Sequence, residues 1–176
     1  MTGRRAVGIG ALAIVGLVAA VWIVAALLFD GYQIPSEANA PTLQPGDRVL
    51  ARSVGDGELG RGDLVVVTLP PQEIGALDGD GPIEVVGRVV ALGGDTVSAE
   101  GGSLVIDGEP VDEPYMTEGT TTDGFDPVDV PDGHVFLMGD ARARAADSRA
   151  YGPIPVEDVQ ARVVARWWPL TRIGGI

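Results

Sequence analysis

Hydrophobic and polar positions alternate in two different rhythms along this chain. From Ala6 to Phe29 no charged residue occurs, and a helix of about 20 apolar residues crosses the roughly 30 Å hydrocarbon core of a bilayer. A membrane-spanning helix is therefore predicted over 6–29. Arg4 and Arg5 precede it and Asp30 follows it. The positive-inside tendency then puts residues 1–5 in the cytoplasm and residues 30–176 on the extracytoplasmic side. The run closes on Leu27, Leu28 and Phe29 instead of a small-x-small site, which favours a retained anchor over a cleaved signal peptide. Trp22 and Tyr32 lie towards its outer end, suited to lipid packing and to interfacial anchoring.

Beyond the apolar run the rhythm changes to short β-branched and alternating segments broken by Gly, Pro and Asp, the pattern of an all-β domain. Strands are predicted at Arg48–Arg52, Asp63–Leu69, Ile83–Leu92, Thr96–Ala99, Ser103–Ile106, His134–Met138 and Arg162–Trp168. Asp107-Gly108 after Ser103–Ile106 is a hairpin turn signal. Gly55–Gly62, Pro70–Pro82 and Glu113–Pro131 read as loops, and Val156–Val159 as a single helical turn.

Composition narrows the function classes. With 25 acidic against 12 basic residues the net charge is -13, which excludes the dense basic surface that a nucleic-acid partner requires. No cysteine is present, so neither a disulfide nor a thiolate nucleophile is available. All 12 basic residues are arginine; there is no lysine anywhere in the chain. His134 is the single histidine and is read as a packed or surface residue. Gly93-Gly94-Asp95 lacks the three-glycine dinucleotide pattern. Asp78, Asp80, Glu84, Asp123, Asp126 and Asp129 follow no EF-hand spacing. Neither a cofactor nor a metal is expected.

Four blocks in order carry a family resemblance. Ile34-Pro-Ser-Glu-Ala-Asn-Ala-Pro-Thr-Leu-Gln-Pro-Gly-Asp-Arg-Val49 resembles the Ser-x-Ser-Met-x-Pro-Thr-Leu-x-x-Gly-Asp box of type I signal peptidases. Arg61-Gly-Asp-Leu-Val-Val66 is similar to their Arg-Gly-Asp-Ile-Val-Val strand, and Gly87-Arg-Val-Val-Ala-Leu-Gly-Gly-Asp-Thr-Val97 to Lys-Arg-Val-Ile-Gly-Leu-Pro-Gly-Asp-Thr-Val. Ile106-Asp-Gly-Glu-Pro-Val-Asp-Glu-Pro-Tyr115 continues the match. Met138-Gly-Asp-Ala-Arg142, Asp147-Ser-Arg149 and Tyr151-Gly-Pro-Ile-Pro155 resemble the last block, and Trp168-Pro-Leu170 the final strand. The resemblance implies an all-β ectodomain with the coiled β-sheet fold of signal peptidase I and LexA-like proteins, behind one N-terminal transmembrane helix.

That family removes signal peptides from exported proteins with a serine nucleophile and a lysine base. A serine hydroxyl attacks only when a neighbour takes its proton, and burial can lower a lysine pKa enough for the task. Carried over by position, the nucleophile falls on Ala38, the base on Gly87 and the base-orienting serine on Ala145. Asn39 stands for the family methionine, Ala141 and Arg144 for two asparagines, and Gly93 for a proline, which should loosen that turn. Ser36 matches the hydroxyl that helps an oxyanion hole, worth about 10²- to 10³-fold in relatives of this design. Pro35, Ser36, Ala38, Asn39 and Pro41 correspond to the peptide groove; Arg88, Asp140, Asp147 and Arg149 to a structural charge cluster. The resemblance thus implies a pseudoenzyme with the membrane and signal peptides or exported precursors as partners. An active peptidase with another nucleophile and base, and a relic or assembly subunit that binds nothing, are the two competing readings.

Overall fold

The computed structural model describes residues 14–17, 19, 20, 23, 24, 26–55, 59–69 and 83–176. Residues 1–5, much of the expected anchor over 6–29, the Pro70–Pro82 loop and part of the Gly55–Gly62 loop lie outside the described residues. Within 14–28 the described residues are helical, and Ile14, Val15, Leu17, Ile23, Val24, Leu27 and Leu28 all expose their side chains. Among the described residues no helix is long and apolar enough to cross a membrane.

Among the described residues twelve antiparallel strands follow: β1 Asp30–Gln33, β2 Arg48–Ser53, β3 Leu64–Leu69, β4 Ile83–Leu92, β5 Thr96–Glu100, β6 Ser103–Ile106, β7 Glu109–Pro110, β8 Phe125–Asp129, β9 His134–Met138, β10 Ile154–Pro155, β11 Val159–Trp168 and β12 Gly174–Gly175. They form two sheets. The larger runs β1-β2-β11-β3-β4-β9-β10 with β12 added to β11, and the smaller runs β7-β6-β5-β8.

The near-continuous apolar run of β3 is what a strand covered on both faces requires. Val65, Val67 and Leu69 pack on one side with Val89, Leu137 and Ile154. Leu64 and Val66 face the other way, against Ile34, Leu43, Val49 and Val163. A third cluster, Val90, Ala91, Val97, Leu104, Phe136 and Met138, joins the two sheets, and Phe125 stacks on Phe136 with ring centres 5.9 Å apart.

Several elements depart from the sequence expectation. Glu113–Pro131 contains β8, whose Phe125 and Val128 find partners in the third cluster; it lies at the edge of the smaller sheet, where Pro127 removes no ladder donor. The short helix Ser148–Tyr151, capped by the Asp147 side chain, was not expected either. The helical turn near Val156 is a 3-10 turn over Val156–Asp158, and β11 begins at Val159 rather than Arg162. The turn after β4 is not loosened by Gly93: Leu92 N–H donates to Asp95 Oδ2 at 2.7 Å and Gly94 N–H to Val130 O at 2.9 Å. A Cβ on Gly93 would lie 2.9 Å from Pro131 O, so close backbone approach holds this turn in place of a proline ring.

Candidate functional site

The opening loop, residues 34–47, is closed on itself and then tied to two arginines, Arg166 and Arg172. Ile34 N–H donates to Asp47 O and Gly46 N–H to Ile34 O, each at 2.9 Å. The buried Asp47 carboxylate accepts from Gln44 N–H at 2.9 Å and from the Arg172 guanidinium. Arg166 donates to Thr42 O at 2.6 Å. These bonds hold a loop of exposed Pro35, Ser36 and Glu37 followed by half-buried Ala38 and buried Asn39 against the sheet.

Two strands supply the opposite wall. Arg88 pairs with Met138 across β4 and β9, and one further step of that register sets Gly87 across from Gly139. A Cβ built on Gly139 would lie 2.4 Å from Ala145 Cβ and 2.5 Å from Ala38 O. Ala141 N–H donates to Ala38 O at 3.0 Å. Ala38 and Ala145 therefore converge on Gly139, while Gly87 lies against Leu137; a Cβ there would be 3.1 Å from Leu137 Cβ. None of the three carries a side-chain heteroatom.

The hydroxyls nearby are already engaged. Ser36 Oγ accepts from Ala38 N–H at 3.4 Å, a long bond within the loop. Thr42 Oγ1 accepts from Arg88 at 3.3 Å, and buried Ser148 Oγ accepts from Leu137 N–H at 3.0 Å. Pro41 is exposed at the rim, and His134 sits at the far end of β9, away from Gly139. Among the described residues no three His, Cys, Asp or Glu side chains come together as metal ligands.

Charges buried behind the site hold its walls. Arg88 grips Asp140 through Nε at 2.8 Å and Nη2 at 2.7 Å, donates to Gly62 O at 2.7 Å, and stacks 3.9 Å from the Tyr115 ring centre. Arg149 bonds Asp147 through Nε at 2.8 Å, a contact that holds its own pKa above the ordinary arginine value. Asp147 Oδ2 accepts from Gly139 N–H at 3.1 Å.

Sequence reasoning missed the partners of Arg142. Its buried guanidinium takes both carboxylate oxygens of Glu113, the Thr122 hydroxyl and, at 3.1 Å, Gly139 O. Tyr115 O–H donates to Glu113 at 2.6 Å; burial, then that acidic neighbour, pushes the phenol up from its ordinary value. Glu113 and Thr122 fall in a stretch read as a loop; the match ending at Tyr115 took in Glu113, and nothing marked Thr122. On either flank lies an open cleft. One, of about 380 Å³, is lined by Ala40, Pro41, Thr117, Ala143 and Arg144; the other, of about 360 Å³, by Phe125, Ala145, Asp147 and Arg149.

A two-sheet antiparallel body with a proline-bearing loop set against a strand edge, and a buried arginine fixing both, frames the candidate site. A family model described as signal peptidase, peptidase S26, matches residues 8–168. Signal peptidase I of Bacillus licheniformis is 35% identical over 139 residues, 72% of this chain and 69% of that protein. Signal peptidase I of Leptolyngbya laminosa is 33% identical over 146 residues, 80% of this chain and 70% of that protein. The thylakoidal processing peptidase 1 of Arabidopsis thaliana is 34% identical over 155 residues, and there the chain spans only 44% of the relative's length. A crystal structure of a signal peptidase I from Enterococcus faecalis V583 aligns with a TM-score of 0.49 at 23% identity, covering 61% of this chain and 98% of that one. The chain belongs to the signal peptidase I family, peptidase S26.

Proposed function

We propose that this protein is a membrane-held pseudoenzyme of the family that binds extended peptides of exported precursors without cutting them. One observation carries the reading: Ala38 and Ala145 meet at Gly139 and Gly87 lies against Leu137, with no side-chain atom among the three able to attack a carbonyl or take a proton. A lysine base is unavailable anywhere in the chain, and a hydroxyl without a base is a poor nucleophile at neutral pH. Ser36 alone supplies an oxyanion donor, which stabilises a charge that nothing here generates.

The peptide has a place to bind. β9 covers β4 only from Arg88 to Leu92, so among the described residues the stretch Ile83–Gly87 has β3 on one side and no strand on the other. Free edges of this kind take extended chains by strand addition. Retention at the membrane is supported by the uncharged run 6–29 and by the exposed apolar side chains of its described helical residues. Trp167, Trp168, Leu170 and Ile173 are exposed at the end of β11, two strands from β1, where the chain leaves that run. The ectodomain lies on the extracytoplasmic side in this reading.

The test is cleavage of a signal-peptide-bearing precursor by the full chain in detergent, beside Ala38→Ser/Gly87→Lys and the same pair with Ala145→Ser. The lysine requires Leu137 to yield by a few tenths of an ångström. The unaltered chain should leave the precursor intact, and a photo-crosslinking signal peptide should label residues 35–41 or β4. Cleavage by the unaltered chain above background overturns the inactive assignment; absence of labelling overturns peptide binding.

A further inference from the structure

The free edge of β4 is already occupied at one point by the chain itself. Val89 exchanges bonds with the β3 side, its N–H donating to Asp63 O and its C=O accepting from Gly62 N–H, both at 2.8 Å. Polar groups alternate sides along a strand, so Gly87 and Val85 also face β3, while Val86 and Glu84 face the open edge. Asn39 Nδ2 donates to Val86 O at 2.6 Å. It stands where the backbone N–H of an added strand would stand. Asn39 is 2% exposed, and its Oδ1 has no partner. The Nδ2 bond fixes which end of the amide is which, so the orphan is the oxygen.

A second tie crosses the same loop. Arg144, next to Ala145 in the chain, is ion-paired with Glu37, next to Ala38, both side chains of the pair being exposed. Each tie is made by a residue that departs from the family pattern: Asn39 replaces the methionine of the opening box, and Arg144 replaces an asparagine of the last block. A methionine cannot donate to Val86 O, and an asparagine at 144 carries no charge for Glu37.

We infer that Asn39 and Arg144 form an intramolecular latch that keeps the peptide groove closed, so that a peptide binds only when the Asn39–Val86 bond and the Glu37–Arg144 pair give way. The inference rests on the peptide-binding reading above. Among the described residues no strand covers this edge, and Glu84 on it is exposed. The latch is also built to release. The buried Oδ1 is left without the bond it had in water, a penalty that works against the closed state. The Glu37–Arg144 pair is exposed and weakens with salt.

The test is the binding of a fluorescein-labelled decapeptide ending in Ala-Gln-Ala to the full chain in detergent, read by anisotropy. Asn39→Met/Arg144→Asn restores the family residues and should bind about tenfold tighter than the unaltered chain, as a groove closed about nine-tenths of the time predicts. Arg144→Glu, which sets two like charges over the groove, should also bind tighter, and Glu37→Arg/Arg144→Glu should return the affinity towards that of the unaltered chain. Thermal unfolding of each variant reports whether the fold is kept. Equal affinity of the unaltered chain and a folded Asn39→Met/Arg144→Asn overturns the latch and leaves peptide binding standing. Binding by neither overturns peptide binding and the latch with it, while binding by the folded variant alone supports the latch and overturns peptide binding by the unaltered chain.

Discussion

Replacing Arg88 by methionine removes the positive partner of a carboxylate that has no access to water. The side chain of Asp140 is 0% exposed and that of Arg88 is 7% exposed. Breaking one side of a buried ion pair costs about 3–5 kcal/mol, because the remaining charge stays buried without compensation. Arg88 also donates to Gly62 O at 2.7 Å and covers the Tyr115 ring at 3.9 Å. A hydrogen bond from a charged group is worth about 1.5–3 kcal/mol, and a desolvated cation over a ring about 2 kcal/mol. These terms share one guanidinium and do not add, so the expected loss is about 4–5 kcal/mol, a large part of the ~5–15 kcal/mol available to a domain. Urea unfolding of the full chain in detergent measures it. Adding Asp140→Asn to Arg88→Met should recover stability, because it removes the stranded charge. A loss under about 1 kcal/mol, the range of an exposed pair, or strictly additive single and double losses, would refute the argument.

Three further outcomes are expected. Gly139→Ala places a Cβ 2.4 Å from Ala145 Cβ and 2.5 Å from backbone Ala38 O; it should cost about 1–3 kcal/mol in urea unfolding, with faster amide exchange at Ala141, whose N–H donates to Ala38 O. Burial raises the Asp95 carboxyl pKa, but bonds from Arg61 and Leu92 N–H outweigh it and hold the group below its ordinary value. Its contribution is thus present above about pH 3.9, the unfolded value, and fades as pH falls through the folded pKa. A carboxyl NMR titration should show the low midpoint, and Arg61→Ala should raise it. Tyr115→Phe removes the 2.6 Å bond to Glu113 and should cost about 0.5–1.5 kcal/mol in the same unfolding assay, because Arg142 still holds the Glu113 carboxylate.

Strands were legible wherever their own residues were apolar enough to need burial. β3 and β4 stand out in the sequence because they pack on both faces, and the Asp107-Gly108 turn because Asp107 takes a positive φ of 53°. β8 was not, since Phe-Asp-Pro-Val-Asp reads as a turn until Phe125 meets Phe136 across the sheet interface. The order of the family blocks was legible in the sequence, yet the ties made across the opening loop were not. Asn39–Val86 joins residues 47 apart, Glu37–Arg144 residues 107 apart and Glu113–Arg142 residues 29 apart. No local pattern encodes such pairs, because the fold alone decides which distant polar groups are left facing each other.

The same long-range bonds separate what the scaffold needs from what the chemistry needs. Arg88 touches Thr42 in the opening loop, Gly62 before β3, Tyr115 beyond β7 and Asp140 after β9, so one guanidinium positions every wall of the groove. Gly87, one residue earlier, sends nothing into that network; its neighbour is the Leu137 side chain. A lysine at 87 would be a charge buried at considerable cost with no part in holding the walls. Removing it together with the hydroxyls at 38 and 145 therefore leaves the groove standing, whereas removing Arg88 would not. On this division of labour, the proposed loss of the dyad leaves the scaffold intact, and the Asn39 amide on Val86 O occupies the open edge of β4 at one point.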